Sequence, residues 1–242
     1  MRAEIKIFPT PHDLAKNFAE ELVKKISESA KTKNNLTVAL SGGSTPELLF
    51  TMLGENYSKS LRWDYVHFFW GDERCVSPDD PESNYGMTRK RLFEKIDIPA
   101  VNIHRIRGED DPDKEILRYS GEILAFTTSV KDKPRFDIII LGLGEDGHTA
   151  SIFPGQENLF KSDMICDVAM HPDTGQKRIT ITGSIINNAD SVVFLVTGTK
   201  KAEIVKKIIN KSDFSENYPA SLVKPDNGML RWFLDKEAGS LL

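Results

Sequence analysis

The sequence has few of the features that mark metal-binding, secreted or membrane proteins. Its only two cysteines, Cys75 and Cys166, form neither a CxxC pair nor a cysteine–histidine spacing that could bind zinc. No apolar run approaches the roughly 18 residues that a transmembrane helix needs, and the first residues do not resemble a signal peptide. We therefore expect reduced thiols, no metal, no contact with a membrane and a location in the cytoplasm.

An excess of charge of one sign is also missing. The net charge is −4, and positive and negative residues are mixed along the chain, which argues against binding to nucleic acid. The 39% of hydrophobic residues can form one large core, and the chain contains no internal repeat, linker or low-complexity segment. We expect a single domain over residues 1–242, present as a monomer or a small homo-oligomer.

Short apolar runs alternate with amphipathic helical patterns, which is typical of an α/β fold with a mainly parallel sheet. The predicted strands are residues 3–8, 36–40, 63–71, 101–106, 138–141, 178–182, 191–196 and, as an edge strand, 229–234. The predicted helices begin at residues 11, 46, 83, 114 and 202, and the first of them ends near residue 30. A doubly wound, Rossmann-like sheet of this kind binds its ligand at the carboxyl ends of its strands.

The stretch 136–155 (FDIIILGLGEDGHTASIFPG) has the strongest functional signal. A buried-looking strand, 138–141, leads into a turn that contains three glycines, Asp146 and His148, and the glycines allow close approach of a ligand. The glycine spacing also fits a dinucleotide fingerprint, but two acids at the phosphate position and the early Pro154 argue against one. The alternative to an active site is a glycine-rich turn with a solvated histidine.

A second glycine-rich turn, SGGSTP at 41–46, follows the predicted strand 36–40. Four of its residues could bind an anion through backbone N–H groups or hydroxyls: Gly42, Gly43, Ser44 and Thr45. We expect Thr45 to cap the following helix and Pro46 to be its first residue. Because the turn lacks the GK[ST] ending of a nucleoside-triphosphate loop, a monophosphate is the expected ligand, and an ordinary strand-to-helix turn is the alternative.

Charged residues also lie near the ends of other predicted strands. Asp72 and Arg74 directly follow the strand 63–71, where a solvated ion pair is the alternative to a functional role. Residues 197–201 (TGTKK) follow the predicted strand 191–196, so that this strand end also meets small residues and cations. We expect these side chains to meet at the edge of the sheet that carries the two glycine-rich turns.

Eight motifs together resemble the 6-phosphogluconolactonase family, within the superfamily that also contains the glucosamine-6-phosphate isomerases. They are SGGSTP at 41–46, FFWGDER at 68–74, SNYGM at 83–87, GLGEDGHTASIFP at 142–154, RITIT at 178–182, TGTKKA at 197–202, PASLV at 219–223 and WFLDKEA at 232–238. The resemblance covers nearly the whole chain in order. It implies a hydrolase of the oxidative pentose phosphate pathway that converts 6-phospho-D-glucono-1,5-lactone to 6-phospho-D-gluconate without a metal or a cofactor.

The resemblance also implies roles for the residues of the site. His148 is the expected general base that deprotonates the water attacking C1, because an imidazole with the ordinary pKa near 6.5 suits proton transfer at neutral pH. Asp146 could orient the imidazole or hold the water, and Asp72 could contact water or sugar hydroxyls. The phosphate is expected to contact Gly43, Ser44, Thr45, Arg178 and Lys201. Arg74 could serve the phosphate or the lactone end, where it or glycine-turn N–H groups could stabilise the oxyanion.

Two alternatives belong to other functional classes. Glucosamine-6-phosphate deaminases share the glycine loop and the Asp-Gly-His core, but they typically have tyrosine in place of Arg74. Their histidine is followed by Ile-Ala-Phe-Asn-Glu, whereas His148 is followed by TASIF at 149–153. A non-catalytic sugar-phosphate sensor would need an attached DNA-binding segment, and the first predicted helix begins within about ten residues of Met1, which leaves no room for a helix-turn-helix there.

Overall fold

The computed structural model describes residues 3–211 and 217–242, which fold around a sheet of six strands. In chain order the strands are β1 (Glu4–Phe8), β2 (Leu36–Leu40), β3 (Val66–Trp70), β4 (Asp72–Arg74), β5 (Thr128–Val130), β6 (Lys133–Arg135), β7 (Ile138–Leu141), β8 (Cys166–Met170), β9 (Lys177–Ile181), β10 (Ser191–Val196) and β11 (Met229–Asp235). The α-helices are α1 (Pro11–Thr32), α2 (Ser44–Asn56), α3 (Asn84–Arg91), α4 (Pro112–Phe126), α5 (Asn158–Lys161), α6 (Gly183–Ile186) and α7 (Ala202–Ile209). The predicted single domain over 1–242 also includes residues 1–2 and 212–216, which lie outside the described residues.

The main sheet has the strand order β1-β11-β10-β7-β2-β3, and every neighbouring pair in it is parallel. β2, β3, β7 and β10 are buried along their whole length, as continuous apolar strands covered on both faces should be. The predicted α/β fold with a mainly parallel sheet flanked by helices is confirmed. Because β10, β7 and β2 are neighbours, the turns that follow them lie side by side at one edge of the sheet.

The first helix forms as the sequence predicts. Thr10 is its N-cap and accepts a hydrogen bond from the backbone N–H of Asp13, and Pro11 is the first helical residue. The helix ends at Thr32, two residues later than expected, because Lys33 adopts the left-handed conformation with φ 56°. The buried face contains an apolar stripe of Leu14, Phe18, Leu22 and Ile26. None of the described helices is both long and apolar enough to cross a bilayer.

Two strand predictions near β3 are wrong, one in its boundaries and the other in predicting a strand at all. Only Val66–Trp70 of the stretch 63–71 is a strand, and Trp63–Tyr65 forms one turn of 3-10 helix. The strand predicted at 101–106 does not form, apart from a single parallel bridge between Ile103 and Phe68. The side-chain amide of Asn102 donates to the carbonyl oxygens of Asp64 and Val66, and these bonds take up acceptors that a longer strand would need.

Two other predictions are also wrong. α2 begins at Ser44 after Gly43, which is the N-cap with φ 104°, so Thr45 lies in the first turn of the helix and does not cap it. Only glycine adopts such a φ without strain, and it brings the helix forward by two residues. The segment 229–234 is not an edge strand, because β11 lies between β1 and β10. Most of β11 is buried, and the exposed edge of the sheet is β1.

A second sheet contains β4, β9 and β8 in antiparallel order. The predicted strand at 178–182 is therefore real, but it lies outside the main sheet. Arg178 lies near the amino end of β9, as it does in the predicted strand. The pairing of β9 with β4 brings Arg178 to the site, because Arg178 is directly opposite Arg74 in the register.

Candidate active site

The turn after β7 folds back on itself through backbone hydrogen bonds. Gly144 N–H donates to the carbonyl oxygen of His148 at 2.9 Å, and Gly147 N–H donates to that of Gly144 at 3.1 Å. A Cβ at position 144 would overlap Nδ1 of His148, so the imidazole needs a glycine beneath it. Gly147 has φ 85°, which favours glycine at that position as well. These requirements place the imidazole beside the carboxyl end of β7.

His148 and Asp146 form a direct pair. Nδ1 of the imidazole lies 2.6 Å from Oδ1 of Asp146, and the backbone N–H of His148 donates to the same oxygen at 3.1 Å. Burial alone would raise the pKa of Asp146, but the hydrogen bonds from His148 and the charge of its ring outweigh burial and lower that pKa. An ionised acceptor holds the imidazole proton on Nδ1 and leaves the lone pair of Nε2 free. His148 is therefore oriented to accept a proton at Nε2.

Phe153 connects the imidazole with Arg178. Its buried ring lies 4.7 Å from the ring of His148 and 5.4 Å from the guanidinium carbon of Arg178. One aromatic side chain thus contacts the candidate base and a candidate phosphate ligand. Because the phenyl ring is rigid and fully packed, it fixes the separation between the two groups.

Ser151 connects Asp72 with the turn that carries His148. The hydroxyl of Ser151 donates to Oδ2 of Asp72 at 2.6 Å, and its backbone N–H donates to the hydroxyl of Thr180 at 3.3 Å. Ser151 is fully buried and Asp72 is nearly so. The preceding Ala150 adopts φ 48°, a left-handed conformation that costs free energy for a residue other than glycine. One carboxylate oxygen of Asp72 thus already accepts a hydrogen bond from Ser151. Ser151 is not among the site residues that the sequence predicts.

Arg74 and Arg178 lie directly opposite each other in the β4–β9 pair. Arg178 is 9% exposed, and burial followed by the charge of Arg74 lowers its pKa. Arg74 donates from Nη1 to the carbonyl oxygen of Glu82 at 2.6 Å, while its buried Nε has no hydrogen-bond partner in the described residues. Like charges directly opposite in an antiparallel pair are destabilising, and an anion bound between the two guanidiniums would remove that cost.

Glu73 belongs to the same charged run but has a structural role. Its carboxylate accepts hydrogen bonds from the hydroxyl of Ser83 and from the backbone N–H groups of Arg74, Asn84 and Tyr85. Burial raises the pKa of Glu73, and these hydrogen bonds oppose the rise. Because side chains alternate along a strand, Glu73 faces the start of α3 while its two neighbours face the site.

The SGGSTP turn packs tightly against these elements. A Cβ at Gly42 would overlap the side chain of Asn84, whose amide donates to the carbonyl oxygen of Asp72 at 2.9 Å. The hydroxyl of Thr45 lies 2.8 Å from that of Thr197, which follows β10. Ser44 and Thr45 occupy the first turn of α2, where backbone N–H groups have no partner within the helix. The positive end of a helix thus faces the same edge of the sheet as the His148 turn.

Lys201 lies at the end of the turn that begins with Thr197. Burial lowers the pKa of Lys201, the carboxylates of Glu145 and Asp146 oppose that change, and Lys200 adds to it. Both of these carboxylates belong to the turn that carries His148. The contacts therefore join Asp146 with His148 and place Asp72 on the strand whose Arg74 is opposite Arg178, while the hydroxyl of Thr45 contacts Thr197.

A separate cavity of about 430 Å³ shares no residue with this site. Its lining consists of Tyr85, Ala100, Ile103, His104, Arg105, Arg107, Glu109, Asp110, Arg118 and Glu122. Arg105 and Arg118 are bonded to glutamates at 2.6 Å, which leaves little free positive charge for an anionic ligand. Among residues 3–211 and 217–242, no group of three or more histidine, cysteine or acidic side chains is placed to hold a metal ion.

Comparison with known proteins gives a consistent result. A family model for glucosamine-6-phosphate isomerases/6-phosphogluconolactonases matches residues 9–232. A 6-phosphogluconolactonase of Aggregatibacter actinomycetemcomitans and another of Haemophilus influenzae are each 44% identical over 236 residues, which cover 97% of this chain and 98% of each relative. The structure of 6-phosphogluconolactonase from Trypanosoma brucei superimposes with a TM-score of 0.90 at 29% identity, covering 100% of this chain and 99% of that one.

Proposed function

The chain belongs to the family of glucosamine-6-phosphate isomerases and 6-phosphogluconolactonases, and we propose that it hydrolyses 6-phospho-D-glucono-1,5-lactone to 6-phospho-D-gluconate. Relatives named 6-phosphogluconolactonase that are 44% identical over nearly the whole chain support this assignment. The reaction belongs to the oxidative pentose phosphate pathway. The observation that carries the mechanism is the pair formed by His148 and Asp146.

In this mechanism Nε2 of His148 accepts a proton from water as the water oxygen bonds to C1 of the lactone. The carbonyl oxygen becomes an oxyanion. When the bond between C1 and the ring oxygen breaks, the imidazolium returns the proton to the ring oxygen. One water molecule has then been added across the ester bond, and His148 is neutral again. Asp146 stabilises the transient imidazolium and keeps Nδ1 protonated.

The oxyanion needs hydrogen-bond donors that are free in the resting enzyme. The N–H groups of Gly144 and Gly147 already donate within their own turn, so they are poor candidates. The first turn of α2, with Gly43, Ser44 and Thr45, offers free N–H groups that suit the phosphate. The oxyanion would therefore be stabilised by hydrogen-bond donors beside His148 other than these N–H groups. A positively charged side chain beside His148 would stabilise it as well.

For the phosphate we propose the first turn of α2 together with Lys201, Arg178 and Arg74. Arg74 is assigned to the phosphate, and not to the lactone end, because its position directly opposite Arg178 favours a shared anionic ligand. Asp72, bonded to Ser151 and close to Arg178, is suited to accept a hydrogen bond from a sugar hydroxyl.

The test is an assay of 6-phosphogluconate formation from freshly generated lactone, coupled to an NADP-dependent dehydrogenase. The lactone also hydrolyses unaided, so the rate must rise in proportion to enzyme concentration and well above that background. We expect the same rate after dialysis against EDTA. A rate indistinguishable from background would refute the lactonase assignment, and a rate abolished by EDTA would refute the metal-free mechanism alone.

The alternative within the family is the deaminase reaction. Arg74 and the TASIF sequence at 149–153 argue against it. Incubation with glucosamine 6-phosphate should release no ammonia above a control that contains the His148→Ala variant. Release of ammonia at a rate that exceeds lactone hydrolysis would reverse the assignment.

We further propose that the enzyme works in the cytoplasm, since both of its cysteines are free thiols and reduced thiols suit a reducing compartment. The mechanism assigns a role to residues of one chain only. A monomer or a small homo-oligomer is therefore compatible with the mechanism. We propose no nucleic acid partner, because no excess of positive charge favours one.

A further inference from the structure

The two edges of the main sheet differ in how they are covered. At the β3 edge, Ile103 forms a bridge to Phe68, and the backbone N–H of His104 donates to the carbonyl oxygen of Phe68 at 2.8 Å. At the opposite edge, β1 pairs with β11 on one side. No other strand among residues 3–211 and 217–242 pairs with β1. Its outward backbone groups are therefore available to another strand.

Exposed apolar side chains lie beside this open edge. Ile5 is 40% exposed and Ile7 is 51% exposed, and both lie on the same face of the strand. Leu241 and Leu242 are also exposed, and they belong to the terminal turn that packs on Ile7 through Gly239. We call these four residues the edge patch. Single exposed apolar residues are ordinary, but a group of them beside an unpaired strand favours association.

The sequence of β1 is complementary to itself in one antiparallel register. When Ile5 of two copies lies on a two-fold axis, Glu4 of each copy faces Lys6 of the other, and Ile7 faces Ala3. An axis at Glu4 or at Lys6 would place like charges opposite each other, which is unfavourable. An axis at Ile7 would place Ile5 opposite Pro9, which has no N–H to donate.

The charged side chains of β1 are already on one face. Nζ of Lys6 lies 2.7 Å from Glu21 on α1 and 3.6 Å from Glu4, so the face that carries α1 holds both charges. The opposite face carries the edge patch. In the Ile5-centred register, the opposite charges of Glu4 and Lys6 from the two copies would thus meet on one face of the strand pair. The apolar side chains of the two copies would meet on the other face.

We propose that two copies of this chain associate through β1 strands that pair antiparallel with Ile5 on the two-fold axis, which continues the main sheet from one copy into the other. The interface is isologous, and a contact of one short strand and four apolar side chains predicts weak, concentration-dependent association. β11 and β10 separate β1 from the turns after β7 and β2, so both active sites remain accessible.

A register-specific disulfide tests the geometry. Directly opposed residues in an antiparallel pair have Cα atoms about 4.5–5.5 Å apart, which lies within the range of a disulfide. Mild oxidation should therefore convert Ile5→Cys to a covalent dimer with unchanged lactonase activity. Ile7→Cys is the matched control, because its own copies would lie about 14 Å apart in this register and should not cross-link. The parent chain, with Cys75 and Cys166, measures the background.

Sedimentation equilibrium tests the association without a cross-link. The parent chain should show a monomer–dimer equilibrium between about 10 and 200 µM, as expected for a small interface. Glu4→Lys places lysine opposite lysine at two symmetric positions and should raise the dimer Kd about tenfold. Glu28→Lys makes the same change of charge on the exposed surface of α1 and should leave Kd unchanged. A parent chain that stays monomeric, cross-linking of Ile7→Cys equal to that of Ile5→Cys, or equal effects of the two lysine variants would overturn the proposal.

Discussion

Substitution of Asp146 can distinguish the two roles that the sequence leaves open for this residue, orientation of the His148 imidazole or holding of the attacking water. Oδ1 of Asp146 receives both Nδ1–H and the backbone N–H of His148. An asparagine at this position would therefore keep its carbonyl oxygen toward the two donors, because its amide group would oppose them. The imidazole would keep its orientation and its tautomer, and only the charge of the acceptor would be lost.

The magnitude follows from the strength of a charge-assisted hydrogen bond. Such a bond contributes about 1.5–3 kcal/mol, and the lower end applies here because the side chain of Asp146 is 43% exposed. Because asparagine keeps a neutral hydrogen bond that is roughly half as strong, Asp146→Asn should lower kcat about fourfold. Asp146→Ala also loses the orientation of the ring and should lower kcat by about 10²-fold, whereas loss of the base in His148→Ala should lower it by about 10²–10⁴-fold.

The assay is steady-state hydrolysis of the phosphorylated lactone by the three variants, with the uncatalysed rate subtracted at each pH. The acid limb of the pH profile should persist in Asp146→Asn, because this variant keeps the candidate base. His148→Ala should lose the limb. If Asp146→Asn is as inactive as His148→Ala, Asp146 takes part directly in the proton transfer and the orientation argument is wrong.

Substitutions of Lys201, Ser151 and His67 test three other parts of the structure. Lys201→Ala should chiefly raise KM for the phosphorylated lactone. A lactone without the phosphate should be a poor substrate, and its rate of hydrolysis should hardly change in this variant. Equal losses of activity with both substrates would contradict a role of Lys201 in phosphate binding. Ser151→Ala should lower kcat/KM in the parent chain but have no further effect in Asp72→Ala, and additive losses in the double variant would show that Ser151 does not act through Asp72. Burial lowers the pKa values of His67 and His104, so both are neutral in the folded protein and their contribution to stability is lost as pH falls below about 6.5. Urea unfolding should show a lower free energy of unfolding at about pH 5.5 than at about pH 7.5, and a smaller decrease in His67→Phe.

The parts of the fold and site that could be predicted from sequence depend on local signals. β2, β7 and β10 are continuous apolar runs that end in glycines or hydroxyl residues, and such runs predict both a buried strand and the turn that follows it. The orientation of His148 by Asp146 is equally local, because two residues in one turn need no distant partner. These signals were sufficient to place the candidate base and the turn proposed to bind phosphate.

The parts that were missed depend on pairing between distant segments. β4 has three residues, too few to show periodicity, and its partner β9 lies about a hundred residues later in the sequence. The opposition of Arg74 to Arg178 and the bond of Ser151 to Asp72 both require that pairing. Side chains alternate between the two faces of β4, which explains why Glu73 supports α3 although Asp72 and Arg74 face the site. The absent strand at 101–106 has a similar cause, since one side-chain amide, that of Asn102, occupies the backbone acceptors.

The position of Phe153 explains how the site favours a hydrolase over a deaminase. In the deaminase pattern a glutamate follows the histidine by five residues, and in this chain that position holds Phe153, whose ring lies 4.7 Å from the imidazole. A second carboxylate there would add to the negative charge that Asp146 already places beside the imidazole and would favour the imidazolium further, and an imidazolium cannot remove a proton from water. The phenyl ring adds no charge, so Asp146 is the acid in contact with the imidazole. The same ring contacts Arg178, and replacement of the carboxylate by an apolar ring therefore leaves that arginine free for an anionic ligand while His148 remains able to act as a base.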